Sequence, residues 1–251
     1  MKNISLFVLL SLTYVSFSQK NDSTNVPGHF GGAVTVTNNG ISFIPNFSLG
    51  KPAAIFDLSI GRRLSFEPQF RFALEGKPWS FIFWWRYKLL KTEKFQINIG
   101  AHPAIVFRTK SFLVDNISKE TIVAERYLAG ELSPNYSFSK NINIGMYYLY
   151  GYCIEKDATK NTNFLALRCN FSNIKLSKQI LIRFNPQIYY LKMDDKDGFY
   201  YSSALTLARR NFPVSISALI NQPFHTNIAA GKDFIWNASL IYSFNKEYVE
   251  K

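Results

Sequence analysis

Alternation of apolar and polar residues recurs along most of this 251-residue chain and constrains its fold more than any other feature. Successive side chains of a β-strand point to opposite faces, so a period of two predicts a strand with one apolar and one polar face. In the run LSFEPQFRFAL at residues 64–74, one parity holds Leu64, Phe66, Pro68, Phe70, Phe72 and Leu74, and the other holds Ser65, Glu67, Gln69, Arg71 and Ala73.

Five more runs show the pattern strongly, at 79–89, 94–107, 141–154, 180–190 and 233–244. Weaker runs at 30–37, 41–49, 54–60, 121–138, 162–173, 197–208 and 212–222 bring the candidate strands to thirteen. A closed bacterial barrel needs an even number of strands. We therefore merge or discard one candidate within the first fifty residues, where the sequence is Gly-rich and interrupted by Pro45, and predict about twelve strands.

The connections alternate in length. Tight polar turns are predicted at 61–63, 91–94, 139–141 and 209–211, and longer loops at 109–120, 155–161 and 222–233. Short turns at one end and long loops at the other are typical of outer-membrane barrels.

The apolar parity is predicted to face lipid. Runs of ten or more residues suffice to cross a bilayer at barrel tilt, and aromatic girdles explain the large rings near the run ends. These rings are Trp79, Tyr87, Tyr152, Tyr190, Trp236, Tyr242 and Phe244. The prediction is an all-β, closed antiparallel transmembrane β-barrel. The alternative is a secreted soluble β-protein, a sandwich or lipocalin-like cup that binds a glycan or a partner.

The first residues have the layout of a secretory signal peptide, with Lys2, an apolar run from Ile4 to Phe17, and small residues at Ser16 and Ser18. We predict cleavage after Ser18, giving a signal peptide at 1–18 and one barrel domain at 19–251. An uncleaved N-terminal anchor is the alternative.

The chain is basic, with 29 Lys and Arg against 17 Asp and Glu and a formal net charge of +12. The basic residues are spread over turns and strand ends, and an exported protein does not normally meet nucleic acid. We therefore expect no nucleic-acid partner. An anionic membrane surface or lipopolysaccharide is the expected electrostatic partner, with generic solubility as the alternative.

Three features of the chain belong together: the ending SFSQ of the signal, the alternation of tight turns and long loops, and a terminal strand closing in LIYSFNKEY. In these features the chain resembles the outer-membrane β-barrel proteins common in Bacteroidota. The resemblance implies an outer-membrane location, contact with outer-membrane lipid, and insertion by the barrel assembly machinery. It transfers no catalytic or binding residue.

Parity also predicts which residues line the lumen. One interpretation is a polar permeation path whose arginine excess favours anions; the other is a narrow interior filled by ion pairs, Glu67 with Arg71 or Arg86 and Glu131 with Arg168. The principal lumen candidates are Glu67, Arg71, Arg86, His102, Glu131, Arg168 and Arg183, with Gln69, Lys88, Arg108, Glu125 and Gln187 on the same parity.

An outer-membrane lipid hydrolase is the alternative function, and it would need a serine with a histidine base. His29, His102 and His225 are the histidines, and we expect His102 in the lumen and His225 in an outer loop. None has the motif context of such enzymes, so no catalytic residue is assigned and enzymatic activity is left open.

Two further motifs were considered for ligand chemistry. Asp194, Asp195 and Asp197 could bind calcium, but they fit a polar hairpin turn better because the glutamate that closes an EF-hand loop is absent. Cys153 and Cys169 fall on opposite parities of neighbouring strands and are predicted not to form a disulfide. No metal or cofactor is predicted.

Overall fold

A computed structural model describes residues 28–44, 47–114 and 117–248, so the predicted signal peptide lies outside the described residues. Twelve antiparallel strands close into one barrel, and β1 pairs with both β2 and β12. The strands are β1 Gly28–Thr37, β2 Ala53–Gly61, β3 Leu64–Ala73, β4 Pro78–Lys91, β5 Phe95–Val114, β6 Ile117–Ser137, β7 Ile142–Cys153, β8 Asn161–Lys175, β9 Ile180–Met193, β10 Lys196–Arg209, β11 Val214–Thr226 and β12 Ile235–Tyr248.

The prediction of about twelve strands is confirmed, and the surplus candidate does lie within the first fifty residues. Residues 41–44 and 47–49 form no strand; they belong to the connection between β1 and β2. Among the described residues, no helix is long and apolar enough to cross a membrane.

The two ends of the barrel differ in their connections. Gly28 and Tyr248 pair at one end, here called the terminal end, where the turns span 62–63, 92–94, 138–141, 176–179 and 210–213. The opposite end, the loop end, carries the connection at 38–52, the loop at 154–160 and a short 3-10 helix, Ala229–Gly231. The first terminal turn requires glycine at position 61, because φ there is +147° and a Cβ would lie 2.2 Å from the Leu64 carbonyl oxygen.

Two predicted long loops are corrected. Residues 109–114 and 117–120 continue β5 and β6 as an extended hairpin, because their backbones keep pairing from Thr109 with Ile122 as far as Val114 with Ile117. Strand β11 likewise continues to Thr226, so the connection after it is shorter than predicted.

The barrel has its apolar side outward. Forty large apolar side chains in the described part of the chain are exposed, against fifteen buried apolar residues. Trp85 and Leu240 are about half exposed, whereas Arg71, on the opposite parity, is only partly accessible. An apolar surface of this extent requires a cover, and a closed barrel has no second sheet to supply one.

One predicted girdle residue is turned inward. Trp79 is only 2% exposed, because a bulge between Arg71 and Phe72 breaks the register of β3 and β4 beside it. A bulge places two residues opposite one and so redirects a side chain, which parity alone does not anticipate.

Candidate functional site in the barrel interior

Charged side chains line one wall of the interior, formed by β2 to β8. Six of the principal lumen candidates project from that wall: Glu67 and Arg71 on β3, Arg86 on β4, His102 on β5, Glu131 on β6 and Arg168 on β8. The seventh, Arg183 on β9, shares the inward parity but lies near the terminal end, where it is exposed.

Arg86 joins two carboxylates of this wall. Its Nε donates to Glu131 Oε1 at 2.6 Å and its Nη2 to Glu131 Oε2 at 3.2 Å, while Nη1 pairs with Glu67. Glu131 also accepts a hydrogen bond from the Tyr147 hydroxyl at 2.6 Å, and its side chain is 2% exposed. Charge-assisted, partly bidentate contacts of this kind fix side-chain geometry strongly, so this cluster is a rigid part of the interior.

Arg168 does not pair with Glu131, in contrast to one pairing we had predicted. Its Nη2 donates to Ser133 Oγ at 2.6 Å, and its guanidinium lies 4.8 Å from the Tyr147 ring centroid. The reason is positional: Arg86 chelates both oxygens of Glu131 and leaves Arg168 to stack on the ring.

Arg71 also forms no ion pair with any described residue. Its Nη2 donates to Gln69 Oε1 at 2.9 Å, and its guanidinium stacks over Trp79 at 5.2 Å. Sequence analysis overlooked Asp57, which lies on the inward face of β2 opposite Gln69. The position of Asp57 between apolar residues in the alternating run at 54–60 could have identified it as an inward-facing residue. Asp57, Glu67 and Glu131 match Arg71, Arg86 and Arg168 in number, and Glu125 on the same wall faces both Arg108 and Lys110, so the charged wall keeps a small positive excess.

The connection between β1 and β2 enters the barrel and narrows it. We call residues 38–44 and 47–52 the inner segment. The Phe47 ring meets Tyr127 edge to face with centroids 4.9 Å apart, and Trp79 Nε1 donates to the Phe47 carbonyl oxygen at 2.7 Å. Gly40 passes so close that a Cβ there would lie 3.0 Å from the Trp79 ring. These contacts attach the inner segment to the barrel wall near the loop end.

An aromatic and aliphatic cluster fills the interior beside β8, β9 and β10. Tyr189 and Tyr200 stack with centroids 4.8 Å apart and planes 8° from parallel, and Phe43 of the inner segment approaches Tyr189 at 6.2 Å. The Tyr189 hydroxyl donates to Asn221 Oδ1 at 2.7 Å. Sequence analysis had assigned large rings to the outside only, so this inner cluster was missed.

The remaining wall is different in character. Several inward positions on strands β10, β11, β12 and β1 carry short polar side chains that are partly exposed. They are Thr35, Thr206, Ser215, Ser217 and Ser239.

Two cavities adjoin the inner segment. One, of about 280 Å³, lies against the charged wall and is lined by residues that include Ser42, Arg71, Trp84, Arg86 and His102. The other, of about 500 Å³, opens at the loop end. Its basic lining residues share two carboxylates: Lys51 and Lys77 lie 3.6 and 3.7 Å from Glu75, and Arg108 and Lys110 lie 2.6 and 3.3 Å from Glu125.

The histidines occupy three different settings. His102 lies in the interior, 9% exposed, with its ring 4.1 Å from that of Trp84. His225 lies on β11, exposed, and not in an outer loop as predicted, because the strand extends past it to Thr226. His29 Nε2 lies 2.7 Å from Ser59 Oγ. A serine hydrolase also needs a group that orients the other ring nitrogen, and among the described residues none hydrogen-bonds His29 Nδ1.

The cysteine prediction is confirmed, and of the three aspartates Asp194 and Asp195 lie in the predicted hairpin turn whereas Asp197 lies on β10. Cys153 and Cys169 are both free thiols, on neighbouring strands with opposite facing. Asp194 lies in the turn between β9 and β10, where its carboxylate accepts hydrogen bonds from the backbone N–H groups of Lys160 and Asn161 at 3.0 and 2.8 Å.

Outside the strands, one ion pair ties the loop at 154–160 to β6. Arg126 donates to Glu155 from its Nε at 2.7 Å and from its backbone N–H at 2.6 Å. Desolvation acts to raise the pKa of Glu155, but the hydrogen bonds from Arg126 outweigh it and lower that pKa to about 2.

No protein-family model matches the sequence, and no curated protein matches it either. Several solved structures share the fold. The KdgM porin in complex with disordered oligogalacturonate is 8% identical, with a TM-score of 0.51 over 86% of this chain and 99% of the porin, and the KdgM porin alone gives 0.51 at 8% identity over 85% and 99%. The NanC porin is 11% identical, with a TM-score of 0.48 over 87% and 100% of the two chains. At these identities the likeness to the KdgM porin is one of fold alone, and that fold is the closed barrel of an outer-membrane porin.

Proposed function

We propose that this chain is an integral outer-membrane β-barrel that acts as a narrow, porin-like channel for small polar solutes. The observation that carries the proposal is an interior lined by polar and charged side chains that are only partly buried, with a cavity of about 280 Å³ against the charged wall. Small, partly exposed side chains such as Thr206, Ser217 and Ser239 occupy inward positions on the remaining strands. A water-filled, polar lumen is what an outer-membrane channel requires.

The width of the path is set by two features described above. The inner segment reduces the bore near the loop end through Phe47 and its contacts with Tyr127 and Trp79. The Arg86 cluster occupies the charged wall. Asp57, Glu67 and Glu131 offset three arginines there. The anion preference that the sequence favours would therefore come from Arg183, which has no carboxylate partner among the described residues, and from the loop end, where Arg108 and Lys110 share Glu125.

The proposal includes the location of the protein in the outer membrane and its route of export and insertion. Export through a cleavable signal peptide at residues 1–18, insertion by the barrel assembly machinery and a Bacteroidota-type barrel remain proposals from the sequence pattern. The outward apolar surface supports placement in a membrane, because lipid is the cover that such a surface needs. Lipopolysaccharide remains a proposed partner, and no nucleic-acid partner is proposed.

Two measurements test this proposal. The refolded protein should migrate differently on a detergent gel before and after boiling, as closed membrane barrels typically do. In planar bilayers it should then conduct weakly with an anion preference, and Arg183→Glu should reduce or reverse that preference while Lys156→Glu, an exposed loop-end control, should not. Heat-modifiable migration without any conductance would identify a plugged structural barrel and contradict the channel assignment.

A further inference from the structure

Basic residues are concentrated at the terminal end of the barrel. Each of the five turns there carries at least one exposed lysine or arginine: Arg63, Lys94, Lys140, Lys178 and Arg210. The adjoining strand ends add four more that are exposed, Lys91, Lys175, Arg209 and Lys246. We call these nine residues the basic collar. Among the described residues, the exposed acidic side chains beside them are Glu93 and Glu247.

The loop end is balanced by comparison. Exposed acidic residues are frequent there: Glu75, Glu120, Asp157, Asp194, Asp195 and Asp233. Ion pairs also form there, with Lys51 and Lys77 on Glu75 and with Arg126 on Glu155. None of the nine collar residues forms an ion pair with another described residue. The collar therefore presents uncompensated positive charge that the loop end does not.

The collar lies next to outward-facing aromatic rings. The Arg63 guanidinium is 5.2 Å from the centroid of the Tyr87 ring, and it donates to the carbonyl oxygens of Lys88 and Leu89 at 3.1 and 3.2 Å. Other rings at this end of the outer surface are Tyr136, Phe138, Phe212 and Phe244. Aromatic rings of a membrane barrel mark the level of the lipid headgroups, so the collar lies at that level.

We propose that the basic collar binds the phosphate-bearing headgroups of anionic phospholipids in the leaflet that meets the terminal end. This inference rests on the proposed membrane location. The matching chemistry is positive charge at headgroup level, close to rings that anchor at the same depth, and not ion-paired with any described carboxylate. The excess positive charge of the described residues therefore lies mainly at the terminal end, opposite the long loops. A lipopolysaccharide partner would instead contact the loop end, because the long loops of such barrels face the cell exterior.

The test compares the folded protein with two matched quadruple variants. The collar variant carries Lys94→Gln, Lys140→Gln, Lys178→Gln and Lys246→Gln. The control variant carries Lys119→Gln, Lys156→Gln, Lys196→Gln and Lys232→Gln at the loop end, and it removes the same number of exposed lysines. Each protein is refolded into vesicles that contain phosphatidylcholine with or without phosphatidylglycerol. The lipids retained by each protein after detergent extraction are then counted by native mass spectrometry.

The wild type and the control variant should retain several-fold more phosphatidylglycerol than phosphatidylcholine, and the collar variant should lose most of that preference. Raising the salt from about 0.1 M to about 1 M should weaken the preference, because the screening length falls from about 10 Å to about 3 Å. Inorganic phosphate at millimolar concentration should not displace the retained lipid if the headgroup at the membrane surface is the ligand.

Several outcomes would overturn the inference. Equal phosphatidylglycerol retention by the collar variant and the wild type would do so, as would an equal loss in the control variant. Binding of soluble polyglutamate without any lipid preference would assign the collar to an acidic protein partner instead. A protein that shows heat-modifiable migration in both vesicle types but no lipid preference refutes this inference alone. A protein that inserts into neither vesicle refutes the proposed membrane function as well.

Discussion

The ring of Phe47, on the inner segment, meets the ring of Tyr127, on β6, edge to face with centroids 4.9 Å apart. This contact holds the connection between β1 and β2 against the inside of the barrel wall, although the connection could have extended away from the barrel. An edge-to-face aromatic pair contributes about 0.5–1.5 kcal/mol beyond its buried area. The position of the inner segment, and with it the width of the lumen, therefore depends on a small number of such contacts.

Removing this contact should widen the channel. Phe47→Ala is expected to raise single-channel conductance, because the inner segment loses its ring contact with Tyr127. A double-mutant cycle with Tyr127→Ala should give a coupling energy of about 0.5–1.5 kcal/mol by denaturant unfolding. Phe224→Ala serves as the control, because Phe224 is 68% exposed on the outside of the barrel. Unchanged conductance in Phe47→Ala would show that the inner segment does not limit flow.

Arg86→Met should destabilise the barrel by about 3–5 kcal/mol, because it leaves the carboxylates of Glu67 and Glu131 in the interior without their shared cation. Urea unfolding in detergent or lipid measures the change. Adding Glu131→Gln to Arg86→Met should recover part of the loss. Arg183→Met, at an exposed position, is the control and should cost under about 0.5 kcal/mol. A loss in the control as large as in Arg86→Met would argue against this cluster as the source.

The Arg126–Glu155 contact should weaken in acid. The pKa of Glu155 is about 2 in the folded chain, below its ordinary value of 4.5, so the contact contributes its full stability above pH 4.5 and loses it as the pH falls toward 2. Hydrogen exchange of the loop at 154–160 should be faster in Glu155→Gln than in the wild type at pH 5. Well below pH 2, where Glu155 is protonated in the folded chain as well, the two proteins should exchange alike. A difference that persisted there would contradict the lowered pKa.

The two thiols should differ in accessibility but not be oxidised together. Cys153 has no exposed surface and Cys169 lies on the opposite face of the neighbouring strand. A water-soluble thiol reagent should therefore leave Cys153 unmodified in the folded barrel. After unfolding without a reductant, the same reagent should modify two thiols per chain, or one in Cys169→Ser. Detection of none in the unfolded wild type would reveal a disulfide.

Local sequence determined the parts of this fold that depend on neighbours along the chain. Parity distinguishes inward Arg86 from outward Trp85 because successive side chains of any strand alternate, whatever the strand pairs with. Short polar stretches such as residues 62–63 predict their turns for the same local reason. The number of strands followed from these signals together with the requirement of closure.

Only the tertiary structure decided the features that depend on distant residues. Trp79 turns inward because of a bulge in its pairing with β3, and Glu131 pairs with Arg86, 45 positions away, and not with Arg168. The inner segment enters the barrel because Phe47 and Trp79 meet only after the barrel has closed. Alternation specifies which face of the strand a side chain occupies. Its partner on that face depends on strand register and on the shape of the enclosed space, and a single run of sequence determines neither of these.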